Sequence, residues 1–565
     1  MRICTLTLLV LVATGQLVTA VSQTKEIAAK QPVYVYLYCR LDDQFNTAIT
    51  QERFKREVAL IERYRKEHPK YGMAALLQFT GASSQSFADF NRAAGLVDTV
   101  LDGVRRGVLE AGYDGSGEPA YFMWPRPNFR NAKTLRDRWL ARGEAAGWFL
   151  TEYKDQLTGE ADSGGSGGLK KTQEIFGEVA SITGVTPWEL GGDTEIVHQV
   201  RRHNQNAIMA GLPESSVWPA KNIHGYGGGV AGIGSLVSPE PDFAPEIFWQ
   251  DGFLRSSNTS GPKVHLLSAH AGPAALKKVL EGLDRSRVHV IRVELANIEM
   301  YLKPDFNKGV LDPIRFAYDN PKLVTLPPGT TRAKDEIDAA YGREEELMRW
   351  LVSDFFSANP GSRFISSSNL KGMAKTSVGS DVPRETLAKA VASLLAEWKI
   401  TGNHPPSFGL ADGEYFSLAD MFQMLATSLA ELDRKGSLPA SVRLNPVYGP
   451  VDFDQDQGPS QGAVTVVSIA RACAQLVQPL NNTAWKPFPD NFVPSRVVVD
   501  GTDLNAAQFL YLMAEAFSAP SPQNKLNVRT CQMSHGPALV FPVTRKLSEI
   551  GAMWTIKPAR LRRLD

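Results

Sequence analysis

The chain has 565 residues, 43% of them hydrophobic and 21% charged, with 61 Lys and Arg against 60 Asp and Glu. A chain of this length and apolar content can bury two or three cores. Its formal net charge of +1 offers no basic excess to neutralise phosphates, which argues against nucleic acid as a partner.

The N-terminus reads as a signal peptide over residues 1–20. Arg2 supplies the positive charge, Leu6 to Ala13 the apolar run, and Val18-Thr19-Ala20 a small-residue cleavage site. That run is shorter than the about 20 residues a bilayer span needs, and no later segment reaches that length. The expectation is a protein secreted, or held in the periplasm or cell envelope, with no transmembrane segment after the signal peptide. Losing Cys4 with the signal leaves Cys39, Cys473 and Cys531. Cys39 reads as a small buried hydrophobe inside a strand. Cys473 and Cys531 either form one disulfide in an oxidising compartment or stay free.

Val33 to Leu41 is rich in Val and Tyr and bounded by Pro32, the signature of a buried strand, and it runs into Asp42-Asp43. In α/β sheets and barrels the carboxyl ends of strands are where ligands and chemistry gather. Thr50 to His68 carries Phe54, Val58, Ile61 and Tyr64 at helical spacing, and the charges from Arg53 to Lys70 alternate as on a solvated helix face. Met73 to Thr80 reads as a second strand and Phe87 to Val108 as a helix. This alternation predicts parallel pairing with crossover helices.

Ala111 to Pro119 is a glycine-punctuated loop at the next strand end, containing Asp114 and followed by Trp124-Pro125-Arg126-Pro127. Leu135 to Tyr153 reads as a helix, Asp162 to Gly168 as a surface turn and Leu169 to Ile182 as another helix. His198 and His203 stand five steps apart, about 140° around an ideal helix, and so do not share a metal. His224 lies in a glycine-rich loop where backbone can approach a ligand, or is a loop histidine that binds nothing. Trp249, in Phe248-Trp249-Gln250, offers a ring suited either to a sugar face or to core packing. Val264 to His270 and Val288 to Glu294 read as strands ending in functional groups. If the strands run parallel, Asp42, Asp43, His270 and Glu294 gather at one edge.

Asp335 to Phe356 is a long helix and Gly361 to Leu370 a last strand and loop, with a polar linker over 375–381. Beyond it, Leu387 to Trp398, Phe416 to Leu432 (capped by Ser417), Val464 to Val477 and Ala506 to Phe517 read as helices interleaved with short β segments, two rough copies of one unit. Asp452, Asp454 and Asp456 alternate as at the start of a calcium loop. However, Gly458 comes one position late and Ala463 stands at the twelfth place, so a solvated acidic turn is expected.

The order strand–Asp42-Asp43, Gly112 to Pro119, Arg126-Pro127 and strand–His270 resembles that of the polysaccharide deacetylases, over residues 30–373. The resemblance implies a (β/α) barrel of about seven strands, an architecture that places its chemistry at the strands' carboxyl ends. It further implies a divalent metal held by Asp43, with Asp42 as general base and His270 as general acid. This chain departs from that pattern by offering Asp114 and Ser116 where the family supplies two histidines. A site of Asp43 and Asp114 would be oxygen-ligated and favour harder ions than zinc. Phe416 to Val442, with Leu438-Pro439 and Val442, and Asp503 to Phe517 are similar to the pseudomurein-binding repeat, which implies a mainly helical, wall-binding region over 382–565.

Three functions follow as expectations. The first is a secreted carbohydrate-active enzyme that deacetylates a cell-wall or extracellular polysaccharide, or hydrolyses it through paired carboxylates such as Asp42 and Glu294; Arg126, His224 and Trp249 are its substrate-binding candidates. The second is a non-catalytic glycan-binding protein built on a degenerate barrel, and the third a structural envelope protein.

Overall fold

The computed structural model describes residues 30–41, 48–79, 81–114, 168–183, 266–283, 285–295, 331–406, 408–450, 458–483, 490–533 and 554–564. It also describes strand pieces at 152–154, 161–166, 225–226, 247–250 and 253–256, and residues 300, 301, 303 and 329. His198, His203, Trp124 to Pro127 and Asp452 to Asp456 lie outside the described residues.

Strand β1 (Val33–Leu41) organises the first half. Successive side chains of a strand point to opposite faces. Val33, Val35, Leu37, Cys39 and Leu41 therefore enter one apolar cluster, and Tyr34, Tyr36 and Tyr38 another. The first cluster is covered by helices α1 (Ala48–Glu67), α2 (Gly81–Ala94) and α3 (Leu96–Arg105), the last two both lying between β2 (Ala75–Phe79) and β3 (Leu109–Asp114) in the chain. The sequence pattern predicts one helix across Phe87 to Val108; instead it breaks at Gly95, whose φ of +63° is left-handed and disfavours side chains.

The chain then forms β4 (Glu152–Lys154), β5 (Ala161–Ser166), α4 (Gly168–Phe176), β6 (Ser181–Thr183), β7 (Gly225–Tyr226), β8 (Ile247–Gln250), β9 (Phe253–Ser256) and β10 (Leu266–Ser268). After a 3-10 turn at Ala269–Ala271 come α5 (Pro273–Glu281), β11 (His289–Glu294), α6 (Lys334–Trp350, prolonged by a π turn over Leu351–Phe355) and β12 (Arg363–Phe364). Parallel pairings run in the order β10-β11-β1-β2-β3-β6-β7-β9, after which β8 and a C-terminal strand add antiparallel. This half is thus a mixed α/β structure on a largely parallel sheet, and its hydrogen-bonded path is open among the described residues. Helices α1 to α6 contribute to the cluster on one face of β1. Beside the other, Ile365, α7 (Ser367–Met373) and the C-terminal segment pack.

Three sequence expectations are corrected here. The glycine loop expected from Ala111 begins as strand, because Leu109 to Asp114 pairs along β2 and β6. The turn expected at Asp162 to Gly168 is strand β5, paired with β4, which also occupies the end of the helix expected to reach Tyr153. The helix from Leu169 stops at Phe176, Gly177 taking a φ of +82°, and Ser181–Thr183 joins the sheet beside β3. In each case pairing with a neighbouring strand outweighs local propensity.

After β13 (Ala374–Lys375) the chain builds one unit twice. The first is β14 (Asp381–Pro383), α8 (Arg384–Thr401), a hairpin of β15 (Phe408–Ala411) and β16 (Glu414–Ser417), α9 (Leu418–Lys435) and β17 (Ser441–Arg443). β18 (Tyr448–Pro450) intervenes. The second is β19 (Ala463–Thr465), α10 (Val466–Leu480), then β20 (Phe492–Val493), which pairs with β18, a hairpin of β21 (Arg496–Val499) and β22 (Thr502–Asn505), α11 (Ala506–Ser518) and β23 (Lys525–Asn527). In each copy the first strand pairs antiparallel with the last. Each hairpin turns on Asp-Gly: Asp412 and Asp500 have φ of 52° and 48°, Gly413 and Gly501 of 77° and 76°. Two successive left-handed residues in a two-residue loop make a type I′ turn, which matches strand twist. Each hairpin ends in a capping box, Ser417 with Asp420 and Asn505 with Gln508. One apolar cluster, including Trp398, Phe422, Leu425, Phe509 and Met513, unites the two copies. Cys473 and Cys531 are both free and buried in it, which decides between the two thiol states.

The final described segment joins the halves. Trp554 is buried in the helical core, and its carbonyl accepts from Ala419 N at 2.9 Å. β24 (Lys557–Pro558) pairs with β8 and β25 (Arg560–Leu561) with β13. Among the described residues no helix is long and apolar enough to cross a membrane.

Candidate functional site

The parallel registers define one row across the sheet: Ser268 on β10, Glu294 on β11, Tyr38 on β1, Leu76 on β2 and Glu110 on β3. One pleat nearer the carboxyl edge, Arg40 stands opposite Gln78. Alternation puts Tyr38 and Arg40 on the face of β1 turned away from α1 to α6, and Arg292 and Glu294 on the corresponding face of β11. The result is a polar patch set in an otherwise aromatic and aliphatic layer.

Arg292, 3% exposed, places its guanidinium carbon 4.8 Å from the centroid of the Tyr38 ring, and its Nη2 lies 3.4 Å from the Tyr38 hydroxyl. Such a stacked cation–π contact strengthens with desolvation. Burial pushes the Tyr38 phenol well above its ordinary range; the Glu294 charge adds to this, while Arg292 and Arg40 oppose it. Tyr38 therefore stays protonated, a hydroxyl fixed between one carboxylate and two guanidiniums. Two strands along the same row, the Glu110 carboxylate accepts from Ser367 N at 2.8 Å, and burial raises its titration range. Tyr36 and Ser367 share a hydroxyl–hydroxyl bond of 2.6 Å.

Glu294 is half-buried at the carboxyl end of β11. His270 lies two residues beyond Ser268, the residue opposite Glu294, in the 3-10 turn that closes β10. The two predicted residues therefore share an edge. Arg343 Nε on α6 donates to the His270 carbonyl at 2.7 Å and pins that turn. Asp114 ends β3 opposite Thr183, at the carboxyl edge of its own strand. Trp249 sits on β8, half-buried against the aromatic layer, with its indole N–H buried and unpartnered. Asp42, Asp43, Arg126 and His224 lie outside the described residues, Asp42 directly following Leu41, the last residue of β1.

Among the described residues no group of three His, Cys, Asp or Glu forms a metal-ligand set. Sequence reasoning missed Tyr38, Arg292, Arg40 and Gln78. The signal was the period-two run Tyr34-Tyr36-Tyr38-Arg40, with Arg292 two residues before Glu294.

No family model matches the chain, and no curated protein matches it. Among solved structures the chain is similar to the crystal structure of 4-alpha-glucanotransferase from Thermococcus litoralis, with a TM-score of 0.27 and 10% sequence identity over 72% of this chain. The match covers 51% of that structure, so this chain spans about half its length. A likeness of this degree fixes neither fold nor activity.

Proposed function

We propose that the protein is a secreted carbohydrate-active hydrolase, acting on a cell-wall or extracellular polysaccharide through the carboxyl edge of its parallel sheet, which closes into a (β/α) barrel. The observation that carries this reading is the placement of Glu294, whose charge acts on Tyr38 together with those of Arg292 and Arg40, on the strand next to the one that leads into His270. A carboxylate and an imidazole at one sheet edge can divide proton transfer between them. In glycoside hydrolysis Glu294 pairs with Asp42 as the two carboxylates flanking the scissile bond. In deacetylation Asp42 takes the proton of the attacking water and His270 protonates the leaving amine. A divalent metal on Asp43 and Asp114 belongs to the sequence resemblance alone.

The test incubates the purified protein with acetylated and unacetylated wall polysaccharides and measures released acetate and new reducing ends. Glu294→Gln, His270→Ala and Asp42→Asn serve as matched variants. Release by the wild type that falls in Glu294→Gln supports glycoside hydrolysis; acetate release that falls in His270→Ala and Asp42→Asn supports deacetylation. Equal, background-level release from all four proteins removes the enzyme reading.

A second reading, a non-catalytic glycan-binding protein, draws on the duplicated helical unit with its paired capping boxes and Asp-Gly hairpins. Retention of the inactive chain on insoluble wall material supports it.

A further inference from the structure

Helices α1 and α6 lie side by side. Arg56 Nη1 meets Asp338 at 3.1 Å, the Tyr64 hydroxyl donates to Glu345 at 2.8 Å, and Arg63 pairs with Glu345. Between these contacts Glu57 of α1 and Glu344 of α6 are 0% and 1% exposed; neither Glu344 oxygen meets a donor among the described residues, and Glu57 is the charged neighbour that acts most strongly on its carboxyl. A carboxylate oxygen only accepts, so two carboxyl groups bond only when one of them carries a proton. Two ionised acids sealed together from water would repel at low dielectric, a cost that protonating one removes.

Among the described residues, the titratable and charged groups facing this pair come from three elements. On α1 they are Arg53, which is buried and donates Nη2 to the Arg40 carbonyl at 2.9 Å, and Arg56, stacked 4.5 Å from the Tyr341 ring and paired with Glu52 and Asp338. On α6 they are Asp338, Tyr341 and Glu345. From the segment after β11 comes Tyr301, whose hydroxyl is 2.7 Å from that of Tyr341. Burial, then the charge of Glu57, then the charge of Glu345, all push the Glu344 carboxyl up. The same two helices hold the candidate site: Arg53 grips the carbonyl one residue before the end of β1, and Arg343 grips that of His270.

We propose that Glu57 and Glu344 hold one shared proton that clamps α1 to α6, and that losing it in alkaline medium loosens the sheet edge carrying His270 and the end of β1. The clamp depends on burial and helix packing alone, and stands whether or not the edge is catalytic. The sign follows from linkage. The folded pair keeps a proton that the unfolded chain releases near its ordinary carboxylate value, so this stability is complete below that value and is lost as pH rises through the folded one.

The experiment measures unfolding by urea from pH 5 to pH 9.5 for the wild type, Glu344→Gln and the double variant Glu57→Gln/Glu344→Gln. In the wild type the proton lost should contribute a fall of up to tenfold per pH unit in the folding constant, and this component should vanish in the double variant. Protection of the amides over residues 268–272, taken relative to the intrinsic exchange rate at each pH, should fall in alkali in the wild type only. An infrared band of a buried carboxylic acid should be present in the wild type at pH 7 and fade in alkali. The proposal is overturned by absence of that band at pH 7, or by a double variant that loses stability with pH as steeply as the wild type.

Discussion

The buried pair between Lys557 and Asp420 provides a quantitative test of how the halves are joined. Lys557 Nζ lies 2.6 Å from Asp420 Oδ2, with side-chain exposures of 6% and 7%. Asp420 is also the third residue of α9 and accepts from Ser417 N at 2.9 Å. Replacing Lys557 by Met keeps the apolar stem and removes the charge, leaving a buried carboxylate with one backbone donor. Breaking a buried pair in this way costs about 3–5 kcal/mol. The lower end applies because the Ser417 N–H remains, so about 3 kcal/mol is expected, or ~6–12 °C in Tm for a unit the size of the helical half. Lys557→Met/Asp420→Asn removes both charges while the Asn oxygen still caps Ser417, and should recover to within ~1 kcal/mol of the wild type. Urea unfolding followed by circular dichroism yields the double-mutant cycle. If the single substitutions cost under ~1 kcal/mol and add without coupling, the strap reasoning fails.

Capping gives a second, smaller prediction. Ser417→Ala should cost about 1 kcal/mol in thermal unfolding, and Asn505→Ala more, because Asn505 Nδ2 also donates to Cys531 O at 2.7 Å. At Gly458, φ is +68° and a Cβ would lie 1.9 Å from Gln508 Oε1, so Gly458→Ala should destabilise where an ordinary surface Gly→Ala change would not, as measured by Tm. Burial raises the Cys473 thiol and pushes that of Cys531 up to about 12. Both should resist alkylation in the native protein at pH 8 and react fully in denaturant, read by peptide mass mapping. Glu294→Gln should lower any hydrolytic kcat at least ~100-fold with circular dichroism unchanged.

Much of this protein was legible in its residues. The α/β alternation of the first half, the strands under Val33, Met73 and Val288, the Ser417 cap and the doubled C-terminal unit all follow from local signals: β-branched and aromatic runs, helical apolar spacing and cap residues. These act over a few positions, so the chain alone expresses them. Strands β5 and β6 did not show, and β3 showed only as a strand end whose extent was missed, because such glycine-rich or short segments become strand only when a neighbour supplies hydrogen bonds. The same limit applied to the site. Glu294 and His270 announced themselves as polar strand ends, whereas Tyr38 and Arg292 passed as members of apolar runs until the register set them face to face. Nothing near Lys557 in the chain hints at Asp420, 137 residues away, or near Glu57 at Glu344. A buried charge or a shared proton exists only where folding excludes water around two groups at once, and that exclusion is decided by the tertiary structure.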